Sequence, residues 1–192
     1  MKFLLILFTP FFTYAQQDTV ILPLKNGNII YEKIVSDSLS KKENYDNSKR
    51  AFVNIFKSAK DVIQMDDKEN GEIIGKGITT YNWRISFEDK QHPIDSFSQA
   101  IKFTIDVTSK DNKYRVKISD IIIGNLTHVH KYSWENRARE DIFENEKSLD
   151  IYYKNYLIDG KDSGFLNAIN KQIESFIDEI QKEMNKKSDT DF

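Results

Sequence analysis

A chain of 192 residues has the length of one domain and can bury a sizeable core. Its 28 basic and 30 acidic residues leave a net charge of -2, so it lacks the basic field that is typical of proteins that bind nucleic acid. It contains no cysteine, which excludes disulfides, thiolate nucleophiles, zinc–thiolate sites and a lipidated cysteine anchor.

The first fifteen residues have the pattern of a secretory signal peptide. Lys2 precedes an apolar run over residues 3–12, and Thr13 and Ala15 place small residues before a cleavage site. The run is shorter than the ~20 residues of a spanning helix, which disfavours the alternatives of a membrane anchor or a buried strand. We therefore predict cleavage after Ala15 and a mature chain that is periplasmic or extracellular, has no membrane span and is not a lipoprotein.

A strand and a helix are predicted next. Asn and Gly in segment 25–28 indicate a turn, and the β-branched residues of segment 29–35 predict a strand. Ser40 and Glu43 have the spacing of a capping box, in which two side chains bond to backbone amides at a helix start. We therefore predict a helix over residues 41–60. Its apolar stripe consists of Tyr45, Phe52, Ile55, Phe56 and Ala59.

Two strands joined by a charged turn follow, over residues 62–65 and 72–81. In the second strand, Gly75 and Gly77 occupy one face. A glycine within a strand commonly marks the close approach of another group, so we expect a helix to pack across the sheet here. The apolar residues of the other face are Ile74 and Ile78.

The clearest strand pattern in the chain is a hairpin. Apolar and polar residues alternate over residues 101–108 and again over 114–119, on either side of a turn at Asp111 and Asn112. We expect one face of this hairpin to be dry and the other wet. The residues expected on the wet face are Lys102, Thr104, Asp106, Arg115 and Lys117.

The last third of the chain divides into two parts. Residues 125–160 show no regular period, and we predict an irregular connection with a short helix near residues 136–148. Over residues 161–187, apolar residues recur every three or four positions, which predicts a closing amphipathic helix, followed by a tail over 188–192. The stripe that this helix must bury consists of Leu166, Ile169, Ile173, Phe176, Ile177, Ile180 and Met184.

These elements, in the order β-α-β-β-β-β-α, define an α+β fold class. The sheet offers one apolar face, and each of the two long helices has an apolar stripe to bury. We therefore predict a single domain over residues 16–187, in which two helices cover one face of a curved antiparallel sheet of about five strands.

Three sequence blocks carry a family resemblance. They are LPLKNGNIIYEK at residues 22–33, FKSAKDVIQ at 56–64 and DKENGEIIGKG at 67–77. In this order they resemble a family of domains of unknown function with a TBP-like fold, typical of exported proteins of Bacteroidetes. The resemblance covers residues 22–124 and implies a TBP-like sheet with helices on one side. It implies no activity, because the family has no assigned catalytic residues.

Aromatic residues within segment 125–160 are the candidate ligand-binding residues. Rigid rings on a polar connection can form a surface for a carbohydrate or a protein partner. The alternative is that the rings cover an edge of a helix or sheet as a satellite of the core. The candidates are Tyr132, Trp134, Tyr152 and Tyr153.

His128 and His130 are the candidate metal ligands. Two imidazoles on one side of a strand suit zinc or copper if a third ligand such as His92 or Glu135 joins them. Two exposed loop histidines are the alternative. Because no third ligand stands at a recognisable spacing, we predict no metal site and no cofactor.

Catalytic motifs are not found in the sequence. Segment 71–77 has one residue too few between its glycines for a phosphate-binding loop, and there is no G-x-S-x-G motif. The sequence therefore favours a non-enzymatic exported module that binds or scaffolds an extracytoplasmic protein or glycan, with no nucleic acid partner. The alternative is a periplasmic enzyme or metal-binding protein with a pocket near His128 and His130.

Overall fold

The computed structural model describes residues 19–56, 58–85, 95–132 and 137–186, with the backbone alone for 82–85, 95–98, 126–132 and 137–142. The predicted signal peptide and the predicted tail lie outside the described residues. So do three residues singled out in the sequence, His92, Trp134 and Glu135.

The described residues form an α+β arrangement, as predicted. Its elements are β1 (Leu24–Lys25), β2 (Asn28–Ile29), β3 (Tyr31–Ser36), α1 (Lys41–Ile55), α2 (Ala59–Val62), β4 (Ile63–Asp67), β5 (Glu72–Ile85), β6 (Asp95–Lys110), β7 (Lys113–Tyr132), β8 (Arg137–Ser148), α3 (Leu149–Asp159) and α4 (Ser163–Met184). In this part of the chain, β1 and β2 pair with each other and the remaining strands form one six-stranded antiparallel sheet, against about five strands expected.

The main sheet has the strand order β3-β7-β6-β5-β4, and β8 joins it along the second half of β7. β3 pairs with the first half of β7, where Tyr31 is opposite Ile118. The predicted hairpin is confirmed as β6 and β7, and Asn112 in its turn adopts a left-handed φ of 61°. The described pairing of β6 with β7 runs out to Gln99 and Asn125. Beyond these residues, β6 continues to pair with β5 as far as Asp95, and β7 continues to pair with β8 as far as Tyr132.

Helix α1 begins as the capping box predicts. The Ser40 side chain accepts from the amide of Glu43, and the Glu43 carboxylate accepts from the amide of Ser40 at 2.8 Å. The helix ends at Ile55, five residues before the predicted end, because Phe56 turns to an extended conformation. In this position the Phe56 ring packs against the ring of Phe176 in α4, with centroids 5.9 Å apart.

Two glycines of β5 lie on the helix side of the sheet, as expected from their position in a strand. A Cβ atom built on Gly75 would lie 2.7 Å from Cε1 of Phe52 in α1. One built on Gly77 would lie 2.7 Å from the ring of Phe103. The glycine face is therefore the core face, and Ile78 lies on the opposite side, half exposed.

The prediction of an irregular connection over residues 125–160, with a short helix near 136–148, is wrong. β7 continues to Tyr132, β8 occupies Arg137–Ser148, and the helix comes later, as α3. β8 is rich in charged residues and shows no apolar alternation. Pairing with the long β7 satisfies its backbone groups and overrides the local preference of the sequence.

Helix α4 closes the core, as its apolar pattern predicts. Every member of the predicted stripe, from Leu166 to Met184, is buried. The Phe176 ring lies 4.9 Å from the Phe103 ring of β6, which fixes α4 against the sheet beside α1. None of the helices in the described part of the chain combines the length and apolar character needed to cross a bilayer.

Candidate functional site: the open face of the sheet

The face of the main sheet opposite α1 and α4 has no helix over it among the described elements. Cross-strand pairing sets its side chains in rows, one of which places Glu32, Lys117 and Asp106 next to one another. We call this surface the open face. It is formed by Glu32, Ile34, Ile74, Lys76, Ile78, Lys102, Thr104, Asp106, Thr108, Arg115, Lys117 and Ile122.

Asp106 lies at the centre of the open face, yet only 3% of its surface is exposed. Arg115 Nη2 donates to Asp106 Oδ2 at 3.2 Å, Lys117 Nζ lies 2.6 Å from the same oxygen, and the Thr108 hydroxyl donates to Oδ1 at 3.0 Å. The expectation that Asp106 is open to water is therefore wrong, because two cationic side chains cover it. A buried carboxylate needs such partners.

The charge network continues to the edge strand β3. Glu32 Oε1 lies 3.6 Å from Arg115 Nη1, and Lys25 Nζ donates to Glu32 Oε2 at 2.9 Å. The hydrogen bond from Lys25, with the positive charges of Lys25, Arg115 and Lys117, holds the pKa of Glu32 below its usual value. Glu32 is therefore ionised at neutral pH, which suits recognition better than proton transfer.

Two β-bulges curve the sheet next to the open face. β7 has one extra residue opposite the segment from Lys102 to Thr104, and Asp120 adopts a left-handed φ of 51° there. β8 has a second extra residue beside it, where Asn145 has φ 56°. Asp and Asn tolerate this conformation better than most residues. Because each bulge bends its strand, the two together curve the sheet beside the open face.

A cavity of about 480 Å³ lies on the open face next to the bulge at Asp120. Ile78, which is 51% exposed, and Ile122 give it an apolar wall. Lys102 Nζ lies 2.8 Å from Glu146 Oε1 and 3.8 Å from the centre of the Phe143 ring. The cavity therefore combines exposed aliphatic surface with an ion pair held in place by an aromatic ring, a composition that suits an amphipathic ligand.

A second cavity, of about 370 Å³, lies at the other end of the open face. Ile34, which is 64% exposed, and Arg115 line it, and Lys110 and Lys113 stand at the end of the β6–β7 hairpin beside it. Both cavities thus bring exposed aliphatic side chains next to charged ones, which is the mixture found at protein interfaces.

The side chains of the first two predicted ligand-binding residues are not among those that the structure describes. Tyr132 ends β7 opposite Arg137, and only its backbone is described. Trp134 lies outside the described residues. The predicted aromatic surface on the β7–β8 hairpin stays a prediction.

Tyr153 lies in the core rather than on a surface. It is 5% exposed, and its hydroxyl accepts from the backbone amide of Leu22 at 3.2 Å. The hydroxyl of Tyr156, one turn further along α3, accepts from the amide of Val20 at 2.9 Å. Both tyrosines therefore hold the N-terminal segment, residues 19–23, against α3, and Tyr153 offers no ring face to a ligand.

Tyr152 is half buried on the other side of α3. Its ring centroid is 5.3 Å from that of Phe165, and Lys147 Nζ lies 4.3 Å from the ring centre. Burial, with a smaller effect from the charge of Asp162, raises the pKa of the Tyr152 hydroxyl. Tyr152 packs between neighbouring elements and keeps part of its surface accessible.

The candidate metal ligands lie on the β7–β8 hairpin. The backbone register places His128 opposite Asp141 and His130 opposite Arg139. Among the residues whose side chains the structure describes, no group of three or more His, Asp or Glu residues is arranged to hold a metal ion.

Sequence reasoning missed the exposed isoleucines of the open face. It placed Ile74 and Ile78 on the face of β5 opposite the glycines, but it did not select them as candidate functional residues. The sequence contained the information needed to place them, because glycines that leave room for a helix must lie on the side of the sheet that the helix covers. Gly75 and Gly77 therefore define the core side, and Ile74 and Ile78 fall on the other side by the two-residue period of a strand.

The fold and the open face define a class of small α+β modules in which helices cover one side of an antiparallel sheet. Residues 16–123, more than half of the chain, match a family model described as a domain of unknown function (DUF4468) with TBP-like fold. The chain belongs to this family.

Two solved structures share the fold. A DUF4468 family protein from Bacteroides ovatus is 14% identical, with a TM-score of 0.62 over 88% of this chain and 92% of that one. A TBP-like protein from Parabacteroides distasonis is 16% identical, with a TM-score of 0.55 over 86% of this chain and 98% of that one. Both alignments extend beyond the segment that the family model matches. No curated protein is significantly similar to this chain.

Proposed function

We propose that the protein is an exported, non-enzymatic binding module that holds a protein partner on the open face of its sheet. The observation that carries this proposal is the exposure of Ile34 and Ile78 beside two cavities on a sheet face that no described helix covers. Exposed aliphatic groups ringed by charged side chains commonly mark an interaction surface.

A protein partner is favoured over a glycan by the chemistry of this face. Sites for polar, ring-shaped ligands rely on the flat faces of Tyr and Trp. The exposed apolar side chains described on the open face are instead aliphatic, and the nearby Phe143 ring is already covered by Lys102. Ion pairs such as Lys102 with Glu146 can set the orientation of a protein partner.

Export is supported by the sequence pattern of residues 1–15. N-terminal sequencing of the protein recovered from outside the cytoplasm should give Gln16 as the first residue. Protein outside the cytoplasm that still begins at Met1 would contradict cleavage, and protein retained in the cytoplasm would contradict export itself.

Site-specific photo-crosslinking in cells tests the binding surface. A photo-reactive amino acid at position 78, on the open face, should give a covalent adduct with a protein. The same residue at position 53 is the matched control, because Val53 is similarly exposed but lies on α1. Adducts at both positions, or at position 53 alone, would contradict the proposal. An adduct at 78 should also disappear when Ile34 is changed to Glu.

The glycan alternative depends on the aromatic residues of the β7–β8 hairpin and α3. If Tyr132, Trp134 and Tyr152 form a carbohydrate surface, the purified protein should bind glycans on an array, and Trp134→Ala should abolish this binding. Glycan binding that survives Ile78→Glu but not Trp134→Ala would place the site there and overturn the open-face proposal.

The metal-binding alternative rests on the register that places Asp141 opposite His128. Arg139 lies opposite His130 and counts against this alternative, because its positive charge would repel a metal cation. Stoichiometric zinc that remains bound after dialysis, and is lost in His128→Ala, would favour this alternative over a non-enzymatic binding module.

A further inference from the structure

The end of the core beneath the start of α1 is polar. Asn44 and Ser48 lie one helical turn apart on α1, and both are buried. Asn44 Nδ2 donates to the carbonyl of Lys110 at 3.2 Å, which places it beside Ser109 of β6, also fully buried. Buried polar groups of this kind need hydrogen-bond partners.

Asp37 lies where β3 leads into α1. Its amide donates to the carbonyl of Asn112 at 3.0 Å, and its Oδ1 accepts from Leu39 N at 2.9 Å and from Asn44 Nδ2 at 3.2 Å. The other carboxylate oxygen, Oδ2, is buried and has no hydrogen-bond partner among the described residues. A carboxylate oxygen that is removed from water without a donor is strongly destabilising.

Tyr114 stands next to this carboxylate. It is 2% exposed and is paired with Val35 of β3 on one side and with Ser109 on the other. Asp37 lies two residues beyond Val35, so it is diagonal to Tyr114 on the same side of the sheet. The hydroxyl of Tyr114 and the Oγ of Ser109 are also buried without a partner in the described chain.

The negative charge of Asp37 acts on this hydroxyl. Burial, and secondarily the charge of Asp37, raise the pKa of Tyr114 to about 12. The hydroxyl therefore stays protonated and can donate a hydrogen bond. Three unpaired polar atoms, one of them anionic, thus lie at the same end of the core.

We propose that this polar end of the core binds one ordered water molecule between Asp37 Oδ2 and the Tyr114 hydroxyl, with Ser109 Oγ as its third partner. The water donates to the carboxylate and accepts from Tyr114, and it makes its third hydrogen bond with the Ser109 hydroxyl. Buried waters typically make about three such bonds. The water joins the β3–α1 connection to the β6–β7 hairpin.

Removing the Tyr114 hydroxyl distinguishes a hydroxyl that binds a water molecule from one that has no hydrogen-bond partner. If the hydroxyl has no partner, Tyr114→Phe should leave the thermal midpoint unchanged or raise it, because a buried polar group is removed. If it holds a water, the midpoint should fall by about 2–4 °C. Tyr152→Phe, at a partly exposed tyrosine, is the control and should have a smaller effect.

A double-mutant cycle tests whether Tyr114 and Asp37 share the same ligand. The combined Tyr114→Phe and Asp37→Asn variant should lose less stability than the sum of the single variants. Strict additivity, with no change in Tyr114→Phe, would overturn the proposal.

A high-resolution crystal structure gives the direct test. It should show a density peak about 2.7–3.2 Å from both Asp37 Oδ2 and the Tyr114 hydroxyl. The absence of such a peak would overturn the proposal. So would a thermal midpoint that rises with sodium or potassium chloride but not with choline chloride, because that dependence identifies a metal cation instead of water.

Discussion

Gly75 and Gly77 show how single residues position a helix against the sheet. Their missing side chains give space to the rings of Phe52 and Phe103 on the core side of β5. An alanine at Gly75 would also meet the backbone oxygen of Val62 at 3.1 Å, and backbone yields less readily than the end of a side chain.

We therefore expect Gly75→Ala to destabilise the protein by about 1–3 kcal/mol, as overpacking of a core does. Urea denaturation measures the change. Lys76→Ala, on the exposed side of the same strand, is the matched control and should change the free energy of unfolding by less than about 0.5 kcal/mol. A Gly75→Ala variant as stable as the unchanged protein would show that α1 is not in close contact at this point.

Asp66 makes the stability of the folded protein depend on pH in the acidic range. Hydrogen bonds from Lys49, and then from Tyr45, lower its pKa from the ordinary value of 3.8. Because the folded-state pKa is the lower one, the stabilisation is fully present above 3.8 and is lost as the pH falls through the folded value.

Asp66→Asn should accordingly lower the free energy of unfolding near neutral pH, and the difference from the unchanged protein should shrink in acid. Denaturation curves of both proteins over a series of pH values measure this. An equal difference at every pH would show that Asp66 contributes through shape or hydrogen bonding alone.

At the scale of elements, periodic apolar patterns gave reliable predictions and strand pairing did not. The capping box of α1, the β6–β7 hairpin and the α4 stripe were all predictable, because each depends on side chains near one another in sequence. β8 was not, because its charged sequence becomes a strand only by pairing with the distant β7. The same reason hid the bulges beside the open face, which lie in these two strands.

Helix α4 is expected to unfold together with the sheet. Ile173 is almost fully buried in the shared core, so Ile173→Ala should cost about 2–5 kcal/mol. Glu179→Ala, on the exposed side of the same helix, should have little effect. Circular dichroism during urea denaturation should show one transition for helix and sheet signals alike. Two separate transitions would show that α4 is an independent element.

On the scale of the whole molecule, the core depends on parts from both ends of the chain. The sheet face that α4 covers includes Phe103 and its buried neighbours Ile101 and Ile105. A chain shortened to end at Gly160 would expose this face to water, and we expect it to lose cooperative unfolding and fixed tertiary packing. Near-ultraviolet circular dichroism and a urea titration measure both properties. A shortened chain with undiminished stability would contradict the shared core.

The tyrosine hydroxyls of α3 also bear on the time at which the domain can form. Val20 reaches its partner Tyr156 across 136 positions, so the earliest described segment can be fixed only once the chain has been synthesised as far as α3. Contacts of such long range slow folding. A growing chain therefore cannot complete this contact until α3 has left the ribosome, a delay that suits a polypeptide which we propose is threaded through a membrane before it folds.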